Sequence, residues 1–187
     1  MKKLFLAAIA ASAAMAVSPA SAQTASGSVA VTGTVAAKCS ATTPITGTIT
    51  LNELAQSNGT VDQAFSAQNG GLSRSFTIRC TSANPGLSVN AAPLVNSAVV
   101  TPASGYTNTV HYTATLVASR AGGGNSDPVV DSSNVSDPTT GAVGDRLANS
   151  AANITVTVSN GNTTTGSDLL EAGSYSGSIA IIVSPAA

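Results

Sequence analysis

Two cysteines, one histidine and a scatter of carboxylates are the residues of this 187-residue chain that could do chemistry. Cys39 and Cys80 stand 41 positions apart, whereas a redox or metal pair needs close spacing such as C-x-x-C, so the spacing favours a structural bridge. His111 falls in an alternating stretch on the face opposite Val110, among Thr113 and Thr115, which predicts a solvated strand histidine rather than a general base. Asp127, Asp131, Asp137 and Asp145 crowd into one region and could offer oxygen ligands to calcium. Their spacing matches no EF-hand loop, and Asp127-Pro128 and Asp137-Pro138 read equally well as turn starts. The triplets at Asn58, Asn134, Asn153 and Asn162 fit glycosylation acceptors but read as chance in an Asn/Thr-rich chain. No G-x-S-x-G, P-loop, G-x-G-x-x-G or H-E-x-x-H motif occurs, so the sequence predicts no enzyme, no cofactor and no resident metal.

The elements that would position these residues are strands. Lys2 and Lys3, the apolar run from Leu4 to Val17 and the small residues Ala20-Ser21-Ala22 form a charged, an apolar and a cleavage region, which predicts that residues 1–22 are an export signal removed from the mature chain. From residue 23 onward, Lys38, Arg74, Arg79, Arg120 and Arg146 face eight acidic residues, a net charge of −3 without a basic run. Nucleic acid and anionic membrane surfaces are poor partners for such a chain, and no later apolar stretch would insert in a membrane. Charged residues make up 8% and aromatics 3%, while small and β-branched residues dominate, which suits short strands and disfavours helices. Alternation predicts inward faces at Ile45, Gly47, Ile49 and Leu51; at Leu72, Phe76, Ile78 and Cys80, with Arg74 interrupting at an edge; and around Leu87 and Val89. It continues at Val110, Tyr112, Ala114 and Leu116; at Ile154, Val156 and Val158; and at Ile179, Ile181 and Val183. Turns are expected at Asn69-Gly70-Gly71, Asn84-Pro85-Gly86 and Asn160-Gly161-Asn162, and residues 119–150 read as a surface excursion with short strands at most. The fold class that follows is all-β, a single sandwich domain.

In an exported chain the two cysteines are expected to pair, tying neighbouring strands. The segment Gly27-Ser28-Val29-Ala30-Val31-Thr32-Gly33-Thr34-Val35 alternates strictly and leads into Cys39. This pattern, with Cys80 following at its spacing, resembles the N-terminal extension of chaperone-usher pilus (fimbrial) subunits. The ending Ala172-Gly173-Ser174-Tyr175, with Ile179 and Val183, resembles that of fimbrial and spore-coat-U-like secreted domains. The resemblance covers both ends and the cysteine pair and leaves the middle of the chain unmatched. It implies an immunoglobulin-like sandwich that lacks its last strand and is completed by donor-strand exchange, with residues 23–36 as the donor extension and 37–187 as the sandwich domain. Val29, Val31 and Val35 would fill pockets in a neighbouring subunit's groove, with Gly33 allowing close approach. Implied partners are a periplasmic chaperone, an outer-membrane usher and identical or related subunits, and the implied location is the surface pilus, reached through the periplasm. The chain departs from the best-known branch in ending Ser184-Pro185-Ala186-Ala187 rather than on an aromatic strand, and it has no second domain for a tip adhesin. The alternative is a monomeric secreted sandwich, a coat or binding protein taking calcium or sugar through residues 119–150.

Overall fold

The computed structural model describes residues 26–42, 44–66 and 71–186, so the expected signal at 1–22 and Asn69-Gly70 of one expected turn lie outside the described residues. The chain divides into two units, residues 1–34 and 35–187. Residues 26–34 form no ladder and are exposed throughout.

The described residues from 35 to 186 are all-β. In chain order the strands are β1 (Cys39–Ala41), β2 (Ser73–Phe76), β3 (Ile78–Cys80), β4 (Gly86–Ala91), β5 (Leu94–Val95) and β6 (Tyr106–Thr107), followed by β7 (Thr109–Ala118), β8 (Val129–Ser132), β9 (Thr139–Ala142), β10 (Ile154–Asn162), β11 (Leu169–Leu170) and β12 (Ile179–Ser184). One sheet runs β2-β10-β7-β5, with β8 also on β7; the other runs β12-β4-β9; β1-β3 and β11-β6 are two-stranded. No helix among the described residues is long and apolar enough to cross a membrane.

The two longest strands show why these residues make this fold. β7 reads Thr-Val-His-Tyr-Thr-Ala-Thr-Leu-Val-Ala and buries every second side chain, and β10 does the same with Ile154, Val156 and Val158. Burying alternate side chains on a pleated strand fixes the register, because a slip of one residue would turn the whole set to solvent. Ala114 pairs with Val158 and Leu116 with Val156, and both pairs face Leu87, Val89 and Ala91 of the second sheet. On the outer face short hydroxyls meet across strands, Ser73 with Thr157 at 2.8 Å and Ser75 with Thr155 at 2.9 Å.

Three features depart from the sequence reading. Asn160-Gly161-Asn162 is a bulge inside β10 and not a turn: the register shifts between Ser159 and Asn162, and Asn160 takes a φ of 55°. A side chain at Gly161 would place its Cβ 2.7 Å from the Phe65 ring, so only glycine lets the bulge approach that buried aromatic. Residues 119–150 are no mere surface excursion, since β8 and β9 extend both sheets and Val129, Val143 and Leu147 enter the core. Within them Asp131, 2% exposed, joins the layers by accepting from the Ala91 N–H and the Thr139 hydroxyl, each at 2.7 Å. Residues 44–51 carry no ladder, although Ile45, Ile49 and Leu51 are half-buried on one face as their alternation predicts.

Candidate functional site

Among the described residues β12 pairs only with β4, and β2 only with β10, so each leaves one edge without a ladder there. The extended segment 44–51 lies along the second of these openings; Gly47 approaches the Arg74 and Phe76 side chains without pairing to their strand. Between this segment and β12 runs an open groove of about 390 Å³. Ile45, Gly47, Ile49 and Leu51 form one wall, Ile179 and Ile181 the other, and Phe76, Tyr112, Val156 and Val158 the floor. The Arg74 side chain also lines the groove.

The groove owes its shape to the strands around it. Gly177 passes so close to the preceding chain that an added Cβ would sit 2.6 Å from the Pro93 carbonyl oxygen, which lets β12 start tight against the floor. The Tyr112 hydroxyl donates to the Ser178 carbonyl at 3.1 Å and fixes the same point. Burial, and secondarily the Asp131 carboxylate, push the Tyr112 phenol up to about 12, so it stays neutral in the groove. A largely apolar groove bordered by the unladdered edge of β12 has the shape to receive an extended strand: its main chain would pair with that edge and its alternate side chains would enter the groove.

Of the residues singled out in the sequence, Cys39 and Cys80 form a disulfide, lying opposite each other in the β1-β3 register with Cα atoms 4.1 Å apart. Val29, Val31 and Val35 are 90%, 93% and 80% exposed, and a Cβ at Gly33 would meet nothing within 4 Å. His111 is on the outer face of β7 as expected but is half-buried, and its Nδ1 is enclosed with no hydrogen-bond partner among the described residues, so it is not the solvated side chain its neighbours implied. The four aspartates do not gather. Asp131 is in the core, Asp145 accepts from the Gly122 and Arg146 N–H groups, and among the described residues no three His, Cys, Asp or Glu side chains come together. The alternation missed the contribution of Tyr112, Arg74 and Leu94 to the groove, because it shows which face a side chain takes and not which strand lacks a neighbour. No protein-family model, curated protein or solved structure matches the chain.

Proposed function

We propose that the chain is a structural subunit of a surface fibre, polymerising by insertion of its N-terminal segment into the groove of the next copy. The observation that supports this reading is the open groove between residues 44–51 and β12, in a chain that also exposes a strictly alternating apolar segment. Val29, Val31 and Val35 would fill the groove, and Gly33, with no side chain, would allow close approach. Burying three valines contributes on the order of 5 to 9 kcal/mol before ordering costs. A contact in which each copy donates at one end and accepts at the other does not close on itself and so extends as a filament. An unfilled apolar groove with free edges invites wrong pairing, so export through the periplasm would call for a chaperone that lends a strand and an outer-membrane usher that exchanges it.

Val31→Asp in the full chain is expected to abolish fibre formation, because a carboxylate would have to shed its water to enter the groove. Thr32→Asp, on the opposite side of the extended segment, should assemble nearly as the parent does. A synthetic peptide of residues 23–36 should bind and stabilise the chain lacking residues 23–35. Normal fibres from Val31→Asp, seen by electron microscopy, together with no stabilisation by the peptide, would overturn the reading in favour of a monomeric secreted protein.

A further inference from the structure

The charges of residues 35–186 are sorted by end. β12 rises from Ile179 to Ser184 and continues until the Ala186 N–H meets the Ser82 hydroxyl at 2.9 Å; the Thr81 hydroxyl, next to it, donates to the Ala36 carbonyl at 2.8 Å. The root of the extension and the close of β12 therefore share one end of the sandwich. That end carries Lys38, Arg79, Arg120 and Arg146 against Asp127 and Asp145, a net of +2. Asp145 is already engaged by two backbone N–H groups. At the other end are Glu53, Asp62, Asp137, Asp168 and Glu171, a net of −5 with no basic residue among those described. Arg74, in the groove, and Asp131, in the core, belong to neither end.

We propose that the basic end of one copy docks on the acidic end of the next, and that this fixes the direction in which the donor enters the groove. The inference rests on the strand-insertion reading above and adds to it the partner surface and the polarity. Leu51 lines both the apolar groove and a hollow of about 480 Å³ bordered by Glu53 and Glu171, so the hollow begins where the groove ends. A donor running antiparallel to β12 leaves the groove at that end. Lys38 then follows Val35 by three residues, a reach of about 10 Å in extended chain, and arrives beside the two carboxylates with Arg79 behind it. A donor running parallel to β12 would bring the basic ends of two copies together, which like charges oppose. It would also place both extensions at one interface and close a pair. Charge thus selects the open filament over the closed dimer.

Lys38 is the only lysine between residues 23 and 187, which makes the test specific. Fibres of the full chain are treated with a carbodiimide, which joins an amine to a carboxylate only where the two touch, and the cross-linked peptides are identified by mass spectrometry. The expected product links Lys38 to Glu53, Glu171 or Asp168 of another copy. Lys38→Glu should slow assembly roughly 10-fold at low salt, and Glu53→Lys in the same chain should restore most of the rate. Raising the salt should slow the parent and leave Lys38→Glu little changed. Circular dichroism of each variant identifies any that misfold, for which Lys38→Gln replaces Lys38→Glu. Links from Lys38 to Asp127 or Asp145 of a second copy, told from links within one copy by mixing isotope-labelled with unlabelled chains, or fibres whose growth ignores both salt and charge reversal, overturn the proposed polarity while leaving strand insertion intact. Normal fibres from Val31→Asp would instead remove strand insertion and this inference with it.

Discussion

Tyr112 joins the core to the groove through a single hydroxyl. In the folded chain it keeps its proton up to about pH 12, whereas an unfolded tyrosine loses it near its ordinary value of 10. Between these values the unfolded state holds fewer protons, so stability that is fully present below about pH 10 is lost as the pH rises towards 12. Two pH units correspond to at most about 2.7 kcal/mol. Denaturant titrations from about pH 9 to about pH 12 should show this fall. Tyr112→Phe should flatten it, at a cost of about 1 kcal/mol at neutral pH for the lost hydrogen bond, the Ser178 carbonyl keeping the Ala92 N–H as its other donor. Some slope should remain in that variant from Tyr175, which burial, with help from Glu171, also raises. An unchanged slope in Tyr112→Phe would place the loss elsewhere.

Among the elements, the short strand β1 carries a consequence out of proportion to its length. Its three residues pair with β3, and the disulfide between Cys39 and Cys80 holds the chain that continues into the ladderless wall at 44–51. Closing a loop of about 42 residues restricts the unfolded chain by about 4 kcal/mol on the loop-entropy model. Labelling of the denatured, unreduced protein should find no free thiol, and the Cys39→Ser/Cys80→Ser variant should lose stability on that scale in denaturant melts. Another tie to β3 lies farther along the chain: Asn153, 1% exposed, accepts from the Ile78 N–H at 2.9 Å and donates to the Ile78 carbonyl at 2.8 Å. The sequence foretold the cysteine pair and the inward faces of β4, β7, β10 and β12, because a period of two survives in any strand with one buried side. It did not foretell the bulge at Asn160-Gly161, where the dipeptide that usually turns a hairpin instead gives way to Phe65, a residue almost 100 positions earlier. Nor did it reveal β8 and β9 as sheet members: in a stretch rich in Gly, Asp and Pro their few buried side chains, Val129 and Asp131 among them, leave too short a pattern to read.

At the scale of the whole molecule, the site was legible in halves. The alternating valines before Cys39 are visible in the chain as written, while the groove exists only once β12 and residues 44–51 stand apart with no strand of the described residues between them, a fact of tertiary arrangement. If copies complete one another, folding and association are linked by mass action, and the unfolding midpoint of the full chain should rise with protein concentration. The chain lacking residues 23–35 should show a lower midpoint that does not move with dilution. Equal, concentration-independent midpoints for the two would mean that no copy completes another.

The two flanks of the groove also set how a fibre of this kind would bear load. Both β12 and residues 44–51 run lengthwise between the two charged ends, so tension along the fibre would pull a seated strand along its own axis. Its main-chain bonds to the flanks would then be stretched together, in shear, and none could break alone. Resistance to such a pull depends on the rate of forced opening and not on equilibrium affinity, which would give a non-covalent joint between subunits of such a fibre a mechanical lifetime longer than its affinity alone implies.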